Sequence, residues 1–511
     1  MPSPFHSSCL TSRMVTDLML RFEAALSIQF ALQNCFWSMT SYLSNETFHT
    51  QLVTEPVSHI KPSRRSFLVP PSLFLEIPFT MASSKTEMSR DEVSETLKAQ
   101  IIEKLHIAIA VELSTIPLYL YSMYSIKKDN GAGTAARAKI AVVVHQEMLH
   151  LALAGNLLVS LKEGPDLYSD IQYIPNYANG PTILDTKIPL TLEPCGKTNL
   201  ERFISIEAPY QDLPQKAEGD EEHADMVDKS FVLMSLPDKE PNTLKGCKSI
   251  GLFYDKLEED IKKCEHVKFG NHALQFSSTD FFSGQMIRVV DQKSAHEALK
   301  IIVDQGEGSV DVDQAHYQMF LDLYMKPMGW TCWPVPTKPT TSAYKSNPLA
   351  HELALASNAA FCYLLITIQK IWKVGDPVLR RSLMSSIHAI MVDVMNPLAD
   401  FMVQCKWTDD HNTGPPFEHY KTKAGEELTP LVENAKKETN DAKKAEIMAK
   451  IAEITDEAAR ELQKGILDHL QNIIDANIGK HIDKAGKTQL KAIVYSINSI
   501  PWPERIMHIN T

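Results

Sequence analysis

Three side chains that can do chemistry stand where their neighbours are apolar. Glu112 lies in the run LHIAIAVELSTIPLYLYSMYSIKK, and Glu147 and His150 lie as E-x-x-H in AARAKIAVVVHQEMLHLALAGNLL. On a helix, residues three apart share a face, so Glu147 and His150 point the same way. Glu112 falls on its own stripe of Leu97, Ile101, Leu105, Ala108, Ile116, Tyr119 and Met123. A carboxylate on a core face is expensive unless it is paired or binds a metal. Two such helices packed antiparallel would supply half of a carboxylate-bridged two-metal site of the kind built inside four-helix bundles.

The other half comes about 150 residues later. Glu307 is held between Gly306 and Gly308, and Asp313 and His316 form D-x-x-H, the same spacing as Glu147 and His150. Phe320 and Leu323 follow His316 at helical intervals. Asp313 also has the reading of a first-turn acid favoured by the helix dipole. Glu103 and His106 repeat the E-x-x-H spacing but lie partly off the stripe. His145 reads as a surface group or a support to the site, and Tyr119 faces the site side.

The elements that must position these groups are mostly helical. A helix is predicted to open at Ser89–Glu92, and Pro117 removes one amide bond a turn past Glu112, which predicts a kink. A second helix starts after Gly131-Ala-Gly133 and ends at Gly164-Pro165. Residues 165–290 form a long mixed insertion. In it, PTILDTKIPLTLEP suggests a hairpin or edge strand, and Leu252–Cys264 suggests a short helix. Its length suits a lid, a binding wall or a partner surface. Helix resumes at Ser294–Gly306 and in DVDQAHYQMFLDLY. Two amphipathic helices follow over about 349–373 and 377–405, and charged helices such as 429–476 come last. Residues 1–92 are rich in Ser, Pro and Thr and are expected to be a mostly disordered N-terminal extension, with an organelle presequence as a second reading.

The 511 residues carry a formal net charge of −12, which makes nucleic acid and anionic membrane poor default partners. The longest apolar runs are broken by charged groups, so no membrane span is expected. The eight cysteines are scattered without a C-x-x-C pair, which suits reduced thiols in a cytoplasmic protein rather than a zinc ribbon or a disulfide scaffold.

In combination, several motifs resemble one family. These are E-L-x-T-I-P-x-Y-L from Glu112 to Leu120, Y-S-I from Tyr124, E-M-L-H-L-A-L from Glu147 and N-L-L from Asn156. Asp304-Gln-Gly-Glu-Gly308 and His316-Tyr317 complete the set. The pattern is similar to the ferritin-like domain of iminophenyl-pyruvate dimer synthases, enzymes of bisindole pigment and antibiotic pathways. The resemblance covers residues 93–405 and implies a mainly α, ferritin-like four-helix bundle, with residues 406–511 as a helical C-terminal extension. It carries metal-ligand roles onto Glu112, Glu147, His150, Glu307 and His316; Asp313 stands where the family pattern has Glu. The implied function is a metal-dependent oxidoreductase, with a di-iron centre, acting on a small, amino-acid-derived metabolite. Manganese is open as an alternative metal. Haem-dependent oxidative coupling is open as an alternative reaction, since those enzymes are haem-associated; a non-catalytic iron-binding or scaffold protein is a third reading. The expected partner is a small-molecule substrate, with a homo-oligomer left open.

Overall fold

The computed structural model describes residues 90–162, 164–184, 186–208, 249–264, 267–306, 315–475 and 482–502. Contacts divide the chain into two units, 1–84 and 85–511, and all described residues lie in the second. The expected disordered extension, Glu307 and Asp313 fall outside the described residues.

Helix α1 runs Arg90–Ser125 and α2 runs Gly131–Leu161. They pack closely side by side. The α1 helix continues through Pro117, and Tyr177 donates to the nearby Ser114 carbonyl at 2.9 Å. The last carbonyls of α1 would otherwise be orphaned. Arg137 of α2 donates to those of Met123 and Ile126 and also pairs with Asp400 at 2.8 Å. Asn130 caps α2 by accepting from the Gly133 amide.

Helices α3 (Lys197–Glu207) and α4 (Ile250–Lys263) come from the segment read as an insertion. Then follow α5 (Gln292–Gln305), opened by a capping box of Asp291 and Ser294, and α6 (His316–Met325). Helix α3 packs on α6, and α2 packs on both α5 and α6. An aromatic cluster joins three of these helices. Tyr119 of α1 meets Phe203 of α3 edge-on at 4.7 Å and Phe320 of α6 at 4.9 Å. Four helices, α1, α2, α3 and α6, therefore surround one interior space. The described part of 165–290 does more than cap that space, because it supplies one of the four. The expected hairpin in PTILDTKIPLTLEP reduces to a single bridge between Thr182 and Pro189, and no strand occurs among the described residues.

Beyond this lie α7 (Pro348–Ile371), α8 (Pro377–Ala389), a π-helical turn (Ile390–Met395), α9 (Asn396–Met402), α10 (Lys423–Lys437), α11 (Asp441–Asp475) and α12 (Lys484–Ser499). Helix α11 lies along α7, and α10 and α12 lie along α11. Trp372, just past α7, links this layer to the bundle. Its ring fits where Gly155 of α2 has no side chain; a Cβ there would sit 2.1 Å from it. Trp372 also donates to Asn156, whose amide is bonded in turn to the backbone of Phe276 and Ile287. The Asn of the N-L-L motif is thus a structural node. Helices α2 and α7 are each long and apolar enough to cross a membrane, contrary to the expectation from charge placement, but most of each apolar stretch is buried inside the fold. Their apolarity is that of core helices, and α2 carries the polar pair Glu147 and His150.

Candidate metal centre

The interior space holds Glu112 from α1, Glu147 and His150 from α2, Glu207 from α3 and His316 from α6, none more than 3% exposed. Four of these residues were singled out in the sequence. Glu207 was not, although it repeats the signal that marks Glu112: an acid on the apolar face of Leu200, Phe203 and Ile204. Glu307 and Asp313 lie outside the described residues. Of their flanks, Gly306 borders the cavity and His316 is buried at the start of its helix, facing Glu147 and Glu207. His106 is elsewhere, hydrogen-bonded to Tyr173.

The helices place the polar atoms in two tiers. Each carboxylate has one oxygen held by a hydroxyl. Tyr254 of α4 donates to Glu112 Oε1, Thr115 donates to Glu147 Oε2 at 2.6 Å, and Tyr119 donates to Glu207 Oε1. Each has its other oxygen turned toward an imidazole Nδ1. His150 Nδ1 is 3.5 Å from Glu112 Oε2 and 3.9 Å from Glu147 Oε1. His316 Nδ1 is 2.8 Å from Glu147 Oε1 and 3.5 Å from Glu207 Oε2. Glu147 is therefore shared between two half-sites, Glu112 with His150 and Glu207 with His316. The two rings stack with centroids 5.3 Å apart. Donor atoms of Glu147, His150 and His316 lie within 4.8 Å of one another, close enough to hold one ion.

The far side of each ring is also occupied. His150 Nε2 meets the Gln305 side-chain oxygen at 3.1 Å, and His316 Nε2 meets that of Gln146 at 3.1 Å. These contacts occupy the outer nitrogen of each ring. The His316 Nδ1 is buried and makes no aligned hydrogen bond, although a carboxylate oxygen lies close. A nitrogen lone pair facing carboxylate oxygens is repelled unless a proton or a cation intervenes.

Electrostatics point the same way. Burial opposes a charge on His316, but Glu207 and Glu147 outweigh it and raise its pKa to about 10. Burial raises Glu112 to about 6, against the lowering effect of its bond from His150, with Glu147 adding repulsion. Glu147 is also penalised by burial, yet His316, then His150 and the Thr115 hydroxyl, bring it below the usual carboxylate range. Burial, with Glu207 beside it, pushes the Tyr119 phenol well above its ordinary value; burial, with Glu112 beside it, does the same to Tyr254. Both phenols stay protonated and act as donors.

Glu112, Glu147, His150 and Glu207 line a cavity bordered also by Ile250, Gly251, Tyr254, Ile302, Val303 and Gly306, and His316 faces Glu147 and Glu207. The room in it for the centre of a water is about 10 Å³, a small space closely lined by polar atoms. A set of three carboxylates and two imidazoles is rich in oxygen, which favours iron or manganese over zinc.

Comparison with known proteins agrees with this architecture. Residues 105–325 match the Ferritin-like family model. A dichlorochromopyrrolate synthase from Lentzea aerocolonigenes is 26% identical over 377 residues, covering 63% of this chain and 36% of the relative. A 2-imino-3-(indol-3-yl)propanoate dimerase from Chromobacterium violaceum is 26% identical over 284 residues, covering 50% of this chain and 26% of the relative. The chain therefore spans about a third and a quarter of these relatives' lengths. A crystal structure of a ferritin-like protein from Caulobacter vibrioides aligns at 22% identity and a TM-score of 0.40, covering 57% of this chain and 93% of that one. A synthase and a dimerase are the kinds of relative that the motif resemblance to iminophenyl-pyruvate dimer synthases anticipates. Residues 105–325, which contain every residue of the buried Glu/His cluster, form a ferritin-like domain.

Proposed function

We propose that this chain is a di-iron oxidase or oxygenase acting on a small, amino-acid-derived metabolite such as a 2-imino acid. The observation that supports this reading most strongly is the five inward donor atoms, left free of hydroxyl partners while every outward carboxylate oxygen has one. Ferritin-like two-metal sites draw one Glu from each of two helices and an E-x-x-H pair from each of the other two. Glu112 and Glu207 fill the single places here, Glu147 with His150 is one pair, and Asp313 with His316 is the other.

Iron bound there would supply electrons for the reduction of dioxygen as the organic substrate is oxidised. The chain's own residues hold and insulate that chemistry. Tyr254, Thr115 and Tyr119 fix the carboxylates by their outer oxygens. Glu147 connects the two half-sites. Ile250, Ile302 and Val303 keep the rim of the cavity apolar, which excludes bulk water and favours an apolar oxidant. The names of the two relatives support an indole-bearing or similar imino acid as the substrate class, and manganese is the alternative metal on donor type.

The test is anaerobic ferrous loading of the full chain, with metal counting, an optical spectrum and dioxygen uptake on adding 2-imino acids. Two irons per chain, no Soret band and substrate-dependent dioxygen uptake are expected, and Glu147→Ala should abolish loading. A chain that takes up no metal, or loads equally well with Ala at 147, overturns the reading. Loading without any dioxygen uptake would instead mark an iron-binding protein without catalysis.

A further inference from the structure

The two imidazoles of the centre are gripped alike, each by one glutamine. Gln146 precedes Glu147 on α2, so one helix holds both edges of the His316 ring: the amide oxygen at Nε2 at 3.1 Å and the carboxylate at Nδ1 at 2.8 Å. Gln305, the last residue of α5, holds Nε2 of His150 at 3.1 Å, while Nδ1 of that ring faces Glu112 and Glu147. Both glutamines are only partly buried, whereas both histidines are fully buried.

Resting on the metal reading above, we infer that Gln146 and Gln305 are a matched pair of positioning residues. They reserve Nε2 of His316 and His150 for a hydrogen bond and leave Nδ1 as the one nitrogen of each ring that can bind metal. The physical reason is the donor inventory. An imidazole has two nitrogens, and a buried ring without a fixed partner would divide its proton between them. With its oxygen toward the ring, as placed here, the amide suits the Nε2–H form. The amide is also uncharged. A carboxylate in the same place would polarise the N–H more strongly, make the ring a better electron donor and favour the higher oxidation state of a bound metal. Neutral partners on both rings therefore bias the centre toward the reduced metal, the form that meets dioxygen.

The test uses the full chain with Gln146→Leu, Gln305→Leu, Gln146→Glu and Gln305→Glu, read by manganese(II) and anaerobic iron(II) binding, by the reduction potential of the iron-loaded protein, and by ¹⁵N spectra of labelled histidine in metal-free protein. Each Leu variant is expected to bind metal about 10- to 100-fold more weakly. Each Glu variant should regain most of that affinity and shift the potential negative. In the metal-free spectra, the wild-type His150 ring should hold its proton at Nε2, and Gln305→Leu should lose that preference. Leu variants that fold and bind like the wild type would overturn the inference, as would Glu variants that behave like Leu and leave the potential unmoved. If the wild type binds neither ion, the metal reading fails by itself, and the ¹⁵N spectra still decide whether Gln305 sets the His150 tautomer.

Discussion

Metal loading of this centre should release protons in a number fixed by its geometry. In the metal-free protein His316 has a pKa of about 10, because two carboxylates face its Nδ1. Glu112 sits at about 6 through burial. A metal ion needs the lone pair of Nδ1 and the ionised carboxylate, so both protons must leave. Near pH 7, His316 is fully protonated and Glu112 about one-tenth protonated, so these two groups together contribute roughly 1.1 protons. Near pH 5, Glu112 is about nine-tenths protonated and the count rises to roughly 1.9. Glu147 is held low by its imidazole neighbours and adds nothing in this range. The assay is calorimetric titration with manganese(II) in several buffers of different ionisation enthalpy, where the slope of observed heat against buffer enthalpy is the proton count. A slope near zero at pH 7 would refute the assignment of His316 Nδ1 as the metal-binding nitrogen, and a slope that stays near one at pH 5 would refute the account of Glu112. The same shifts give a stability test. His316 is raised above its unfolded value of 6.5, so its contribution is complete below that value and is lost as pH rises through about 10. Glu112 is also raised, so its contribution is complete below 4.5 and lost by about 6. Metal-free protein should therefore lose stability between about pH 6.5 and 10 relative to His316→Gln, measured by urea unfolding.

Three other perturbations follow from single contacts. Tyr254→Phe removes the phenol that donates to Glu112 Oε1; the carboxylate loses a stabiliser of its ionised form, so the pH midpoint of metal binding should move upward, as read by manganese titrations across pH. Gly306→Val places a side chain at the cavity border, where a Cβ alone would lie 3.8 Å from Glu207 Oε2, and should slow metal uptake in stopped-flow mixing while leaving the final stoichiometry unchanged. Gly155→Ala drives a methyl into the buried Trp372 ring and should cost about 1–3 kcal/mol in denaturant unfolding, without altering the metal count.

Much of this centre is written in the sequence as contradiction. Glu112, Glu147, His150 and His316 each interrupt an apolar stripe at helical spacing, and the fold brings all four into one space. Glu207 follows the same rule, on the face of Leu200, Phe203 and Ile204, but its helix has only 11 residues and is surrounded by Pro- and Gly-rich chain. A stripe of two turns gives too few apolar positions for the interruption to stand out. The supporting residues were less legible still. Nothing local says that Tyr254 meets Glu112 across 142 residues, or that Gln305 meets His150 across 155, because such pairs are set by helix packing and not by periodicity. The extended run at PTILDTKIPLTLEP had the composition of a hairpin, yet it lies against the helices with one bridge, since the bundle offers it no second strand.

The ordinary explanation for a buried cluster of acids and imidazoles is a hydrogen-bonded network that locks helices together. Such a network is stable when every buried donor and acceptor is matched. Here the matching is selective. The outer oxygens of Glu112, Glu147 and Glu207 each take a hydroxyl from Tyr254, Thr115 and Tyr119, and the outer nitrogens of His150 and His316 each take a glutamine. The inner atoms have only one another, and His316 Nδ1 makes no aligned bond even with a carboxylate oxygen 2.8 Å away. A purely structural cluster would place its donors on the inner oxygens, where repulsion between carboxylates is greatest. Instead, five outer contacts hold five side chains so that their unshared lone pairs converge on a space of ionic size. That division of labour suits a cation at the centre, and in the metal-free protein a proton at His316 takes that role.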